Sequence, residues 1–196
     1  MYFSRLALSL HKAKQEVKTI RLGDKEFVPF IEETRIRAAI DKVAEEISDC
    51  YKGESPLFIC VLKGAVFFAT DLVRRVDFPA DLTFIRVASY CNCSSTEEVK
   101  VLQPLIEPVK QRDVVVIDDV MDTGHTYRAL KRILLEQGAR TIRFACLLYK
   151  PKASKYPDLK PDFFGIEVGN DYVVGYGFDY NDMGRTLKDI YIIKNS

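Results

Sequence analysis

The sequence predicts an α/β protein in which a twisted, mainly parallel sheet is flanked by helices. Three observations predict it. Asp113 is followed by four consecutive apolar residues, Val114, Val115, Val116 and Ile117, a run without alternation that suits a parallel strand covered on both faces. Strand-like and helix-like segments alternate along the chain, the order that right-handed strand-helix-strand crossovers produce. The strand-like runs stop abruptly at polar groups: Lys63, a polar loop from Cys91, the pair Asp118-Asp119, and Lys150. Polar groups therefore gather on one edge of the sheet.

The elements follow in order. Residues 1–19 are basic and weakly patterned (Arg5, Lys12, Lys14, Lys18) and are expected to form a peripheral arm. Arg5 interrupts the short apolar run there and no small-residue cleavage pattern follows, so a secretory signal is not expected. Ile36, Ile40, Val43, Ala44 and Ile47 share one helical face, and Gly53 helps to stop that helix. Residues 56–62 read as a buried strand. Residues 65–76 return to helical spacing through Phe68, Leu72, Val73 and Val76. Residues 82–90 form a second strand, and residues 91–98 are too hydrophilic for a core. Beyond the strand at 113–117, residues 125–137 form a helix with Ala129, Leu130, Ile133 and Leu134 facing inward and Gly138 just past its end. Residues 141–149 are a further strand. The last quarter carries short strands at 173–176 and 190–193, and Tyr176, Phe178 and Tyr180 alternate as they would along a strand.

The chain has 196 residues, which suits one domain, and its 47% hydrophobic content is enough for a core. A net charge of +1 provides no bulk field for nucleic acid or a membrane surface. No stretch approaches the roughly 20 apolar residues of a membrane span. Of the five cysteines, Cys60 and Cys146 lie in apolar runs and are expected to be buried thiols. An odd count without secretory features points to a reducing compartment, the cytoplasm. Cys91 and Cys93 are spaced too closely for a usual zinc pair.

The segment from Val116 to Thr126 carries the sharpest chemistry. Asp122, Thr123, Gly124, His125 and Thr126 span a turn between a buried strand and the start of a helix. The N–H groups of a first helical turn lack intrahelical partners and, with the helix dipole, form an anion cradle. Thr123 and Thr126 add hydroxyl donors, and Gly124 allows close approach of the backbone to a phosphate. Asp118 and Asp119 precede the cradle, where they would accept hydrogen bonds from a sugar diol or metal-bound water. Asp122 as a helix cap is the simpler alternative, but it leaves two further acids at the end of an apolar strand unexplained. The segment lacks both the Gly-Lys-[Ser/Thr] ending of a Walker loop and a G-x-G-x-x-G fingerprint.

This segment resembles the signature with which type I phosphoribosyltransferases hold 5-phosphoribosyl 1-pyrophosphate. The resemblance extends, in the same order, to Leu62-Lys63-Gly64, Ser89-Tyr90, Lys150, the stretch from Tyr172 to Asp179, and Arg185. That set is specific to the hypoxanthine-guanine branch and covers about residues 25 to 194. The resemblance implies a single domain with a core at about 35–150 and a small hood over the base site, from about 20–34 and 151–185. It implies purine salvage by transfer of the phosphoribosyl group to N9 of a 6-oxopurine, with magnesium, in a cytoplasmic homodimer or homotetramer. It further implies that Asp118 and Asp119 hold the ribose hydroxyls with magnesium nearby, that residues 122 to 126 cradle the 5′-phosphate, and that Asp122 is the general base for purine N7. Lys63, in a turn where the family commonly has a non-proline cis peptide, and Arg185 would bind pyrophosphate. Lys150 would donate to the 6-oxo group, Tyr172 would stack on the purine, and the Val173 backbone would read its edge. Asp179 would ligate a second magnesium. Ser89, Tyr90 and the residues after them would form a closing lid.

The chain departs from many relatives at three places. His125 stands where the family varies and would contact the phosphate when protonated, an exposed residue at the helix start being the simpler alternative. Tyr172 replaces a phenylalanine, and Ala65 stands where a second glycine is common. A regulatory protein that binds the sugar pyrophosphate without catalysis is the alternative from another class. Such relatives often lose the acid at the Asp122 position or gain a basic face.

Overall fold

A computed structural model describes residues 19–90, 98–156 and 158–194. The expected N-terminal arm therefore lies outside the described residues apart from Thr19, as does the polar stretch 91–97.

The described elements are β1 (Ile20–Leu22), β2 (Lys25–Ile31), α1 (Glu33–Cys50), β3 (Leu57–Leu62), α2 (Val66–Val73), β4 (Asp81–Tyr90), β5 (Glu98–Gln103), β6 (Asp113–Met121), α3 (His125–Glu136), β7 (Thr141–Tyr149), β8 (Phe163–Glu167), β9 (Val173–Val174) and β10 (Ile190–Ile193). They build a six-stranded sheet in the order β5-β4-β3-β6-β7-β8 and a four-stranded sheet in the order β1-β2-β10-β9. The large sheet is parallel except for β5, which pairs antiparallel with β4. The small sheet is antiparallel throughout.

Apolar runs without alternation mark strands covered on both faces, and successive residues divide between two cores accordingly. Phe58, Cys60, Val115, Ile117, Ala145 and Leu147 pack with α1 and α2. Their neighbours Leu57, Ile59, Val61, Val114, Val116, Phe144 and Cys146 pack with α3 on the opposite face. The face of α1 expected from its spacing is the buried one. On α3 the most buried residues are Tyr127, Leu130 and Leu134, with Ala129 and Ile133 only half-buried. Tyr127 stacks on Phe144 with ring centroids 4.3 Å apart. Cys60 and Cys146 are buried thiols, both pushed up to about 12 by burial.

Chain order places the crevice. β3 runs through α2 to β4 on one side, and β6 runs through α3 to β7 on the other. The carboxyl ends of the adjacent strands β3 and β6 thus diverge into connections on opposite faces, the switch point at which open α/β sheets bind ligands.

Four sequence expectations are corrected. β6 continues four residues past Ile117, so Asp118 and Asp119 lie on the strand rather than after it. β9 is only two residues long. Gly175, Tyr176 and Gly177 all have positive φ, so Tyr176, Phe178 and Tyr180 sit on a looped segment rather than a strand. Finally, α2 ends at Val73, although Val76 still packs on the core.

Candidate active site

The crevice between β3 and β6 is a cleft of about 350 Å³. Lys63, Gly64, Asp118, Asp119, Asp122, Thr123, Gly124 and Thr126 all line it, so one cavity unites half of the residues chosen from the sequence. Val87 and Tyr127 line it too, and neither was singled out for the site.

On the β3 side the chain leaves the strand through a cis peptide between Leu62 and Lys63, as expected. Gly64 follows, and its lack of a side chain leaves room for Asp119: a Cβ there would lie 1.7 Å from Asp119 Oδ2. Successive strand residues leave on opposite faces. With Val116 packed on the α3 side and Ile117 on the opposite one, this alternation sends Asp118 toward the α3 face and Asp119 toward Gly64. Asp118 is 7% exposed. Burial pushes its carboxyl well above the usual range, and the charge of Asp119 adds to this. Burial also raises Asp119, while hydrogen bonds with Asp118 and the Val120 N–H, and then the charge of Arg185, pull it back down. Two carboxyls so costly to ionise together favour an incoming diol, metal-bound water or cation.

On the β6 side the strand turns into α3 at Gly124. This residue has φ 85 and is the N-cap, and no side-chain hydrogen bond caps the helix. The reading of Asp122 as a cap is therefore excluded. The first-turn N–H groups remain an anion cradle. The loop is braced from outside by the segment after β7, a support that the sequence reading missed. The Lys155 N–H donates to the Thr123 carbonyl at 3.0 Å, and the Tyr156 ring lies where a Cβ on Gly124 would be 3.1 Å away. His125 belongs to this brace. Its Nδ1 is 2.9 Å from the Tyr156 hydroxyl and its ring meets Tyr156 edge-on. The imidazole is thus a packing group, not part of the cleft lining.

Lys150 ends β7. Its N–H donates to the Met121 carbonyl at 2.9 Å, tying β7 to the end of β6. Its side chain is only 8% exposed, and Nζ reaches Asp122 Oδ2 at 3.3 Å; Asp122 is 45% exposed. A buried donor and a solvent-facing acceptor are thus presented side by side.

The remaining candidates come from the segment between β9 and β10. Tyr172 is 49% exposed and its hydroxyl donates to the Asp179 carbonyl at 2.7 Å. Val173 is buried in β9. Arg185 Nη2 pairs with Asp179 Oδ1 at 2.5 Å, Arg185 Nη1 donates to the Gly177 carbonyl at 2.7 Å, and Asp179 Oδ2 accepts from the Asp182 N–H at 2.7 Å. Asp118, Asp119 and Asp179, the three expected metal ligands, do not converge on one point among the described residues. Ser89 and Tyr90 end β4; the lid expected after them lies outside the described residues.

Comparison with known proteins places the chain in a family. Residues 31–181 match the phosphoribosyl transferase domain family. The chain is 37% identical to a hypoxanthine-guanine phosphoribosyltransferase of Bacillus subtilis, over 84% of this chain and 91% of that one. It is 38% identical to a bifunctional TilS/HprT protein of Listeria monocytogenes over 84% of this chain, but spans only 25% of that protein's length. A crystal structure of a hypoxanthine-guanine phosphoribosyltransferase from Bacillus anthracis superposes with a TM-score of 0.81 at 30% identity, covering 85% of this chain and 98% of that one. The chain belongs to the phosphoribosyltransferase family.

Proposed function

We propose that the chain transfers the 5-phosphoribosyl group from 5-phosphoribosyl 1-pyrophosphate to N9 of a 6-oxopurine, hypoxanthine or guanine, releasing pyrophosphate. The observation that carries this reading is the Lys150–Asp122 pair at 3.3 Å beside the capless helix start. A 6-oxopurine presents its 6-oxo acceptor and its N7–H donor on adjacent positions of one edge. Lys150 donates to the first and Asp122 accepts from the second.

The sugar phosphate takes the other end of the cleft. The Thr123 and Thr126 hydroxyls and the first N–H groups of α3 receive the 5′-phosphate, and Asp118 and Asp119 accept from the ribose hydroxyls. The half-exposed Tyr172 ring offers a stacking face for the purine, and the Val173 backbone lies next to it. Lys63 and Arg185 are the cations for pyrophosphate.

The chemistry follows from where charge develops. The C1′–O bond to pyrophosphate breaks as the N9 lone pair forms the new C1′–N9 bond. Lys63 and Arg185 stabilise the departing charge, and Asp122 takes the N7 proton that becomes acidic as N9 turns cationic. The hard oxygen donors of Asp118 and Asp119 suit magnesium, with Asp179 as the proposed ligand of a second ion. When bound, magnesium supplies further charge neutralisation on the phosphate oxygens.

The test is to incubate the chain with magnesium, 5-phosphoribosyl 1-pyrophosphate and hypoxanthine and weigh the products. Inosine monophosphate and pyrophosphate in equal amounts support the reading. Binding of the sugar pyrophosphate without product overturns it in favour of a regulatory protein.

A further inference from the structure

Asp182, which nothing in the sequence singled out, sits between the two cations assigned to pyrophosphate. Its Oδ1 lies 3.2 Å from Lys63 Nζ and 3.5 Å from Arg185 Nη2. One carboxylate oxygen thus bridges an ammonium from the β3 turn and a guanidinium from the segment before β10. The bridge joins residues 119 positions apart in sequence.

The local backbone accounts for how the carboxylate gets there. Tyr180 and Met183 exchange backbone hydrogen bonds at 2.9 and 3.0 Å. The two residues between them, Asn181 and Asp182, both have positive φ, 51 and 59, the pattern of a type I′ hairpin turn. Asn and Asp tolerate that conformation, so turn geometry alone explains their type. It does not explain the direction of the side chain. A glycine would serve the turn equally well, yet an anion placed here meets both cations. The side chain is 75% exposed, so water and solutes reach it and it is not locked in a core.

We infer that Asp182 is an internal stand-in for pyrophosphate: its carboxylate occupies Lys63 and Arg185 in the empty site, must be displaced when pyrophosphate or the sugar pyrophosphate binds, and returns to speed pyrophosphate release. This rests on the proposed role of Lys63 and Arg185. Its physical basis is competition of like charges for one pair of cations. A pyrophosphate oxygen and the Asp182 carboxylate cannot share the space between an ammonium and a guanidinium. Every binding event therefore includes the loss of two exposed ion pairs, each modest because solvent screens it.

The experiment uses the intact chain with Asp182→Asn, which keeps the size and the tolerance for positive φ, and Asp182→Gly, which keeps the turn. Pyrophosphate with magnesium is titrated calorimetrically, and steady-state constants are measured for the sugar pyrophosphate. Losing two screened ion pairs is expected to tighten pyrophosphate by about two- to tenfold in both variants. KM for the sugar pyrophosphate should fall by a similar factor, and product inhibition by pyrophosphate should strengthen to match. The difference from wild type should shrink as salt is raised, because exposed pairs are screened. Asp182→Glu should restore part of the wild-type behaviour. Unchanged or weaker pyrophosphate binding in both variants overturns the inference, since Asp182 would then organise the cations rather than compete for them. Lys63→Ala and Arg185→Ala separate the two levels. If neither weakens pyrophosphate, the assignment of those cations fails and the inference falls with it. If both weaken it while Asp182→Asn does not tighten it, the inference alone falls.

Discussion

Replacing Lys150 by methionine should slow the proposed transfer without unfolding the chain, and the structure sets both magnitudes. The Lys150 side chain is 8% exposed, and its pairing with Asp122 at 3.3 Å is long for a charge-assisted hydrogen bond. A buried ammonium carries a desolvation cost that one long ion pair recovers poorly. Methionine matches the unbranched stem and removes that cost. Asp122, 45% exposed, keeps its charge solvated after the change. Stability should therefore shift by no more than about 1 kcal/mol, in the direction of a gain, or about 2–4 °C in Tm for a chain of this length. Catalysis should move the other way. A hydrogen bond from a charged donor is worth about 1.5–3 kcal/mol, so kcat/KM for hypoxanthine should fall by about 10- to 150-fold. Thermal denaturation followed by circular dichroism, with steady-state kinetics on the same preparations, reads both. A loss of more than about 2 kcal/mol with unchanged kcat/KM would make Lys150 a structural lysine and refute the assignment.

Three further outcomes are expected. Asp122→Asn should retain binding of 5-phosphoribosyl 1-pyrophosphate by calorimetry but slow turnover by about a hundredfold or more, the usual contribution of a general base; unchanged turnover removes Asp122 from that role. Gly64→Ala drives a Cβ into the Asp119 carboxylate. The displaced atoms are the end of a side chain, so stability should fall by only about 1 kcal/mol while KM for the sugar pyrophosphate rises at least severalfold; an unaltered KM would show that the position of Asp119 is not critical. At the opposite end of β6, hydrogen bonds from Arg140 hold the Asp113 carboxyl well below the usual carboxylate range. A depressed folded-state acid contributes stability that is present above its ordinary pKa of about 4 and is lost as pH falls toward the depressed value. Urea denaturation from pH 5 down to 2 should therefore show a shallower acid loss for Asp113→Asn than for wild type, and equal slopes would exclude this pair.

The parts legible in the sequence are those where a physical rule acts over a short stretch. Strands covered on both faces are continuous apolar runs, and β3, β6 and β7 read directly. Lys63, Asp118 and Lys150 stood out because charge follows such a run without transition. Other elements obey rules that need the fold. β2 carries Pro29, which usually argues against a strand interior. Here β1 pairs only with residues 25–27 of β2, so Pro29 has β10 on one side alone, next to a register shift. β5 is a short alternating edge strand following the polar stretch, and its partner β4 supplies what local pattern does not. Gly175 and Gly177 broke an apparently alternating aromatic run, because backbone with positive φ leaves the strand region. Tyr156 and Asp182 act through contacts with residues far away in sequence, 31 positions for Tyr156 with His125 and 119 for Asp182 with Lys63. Only the folded chain brings those partners together.

The most direct measurement is turnover with magnesium and 5-phosphoribosyl 1-pyrophosphate across hypoxanthine, guanine, xanthine, adenine and uracil. Lys150 as donor and Asp122 as acceptor match a 6-oxo group beside N7, so at least one 6-oxopurine should turn over, with adenine and uracil slower by orders of magnitude. Adenine sets a 6-amino donor against the Lys150 ammonium, and uracil lacks the N7 edge. Comparable rates for adenine or uracil, or no turnover of any 6-oxopurine, would contradict the assignment of that pair as the base-reading site.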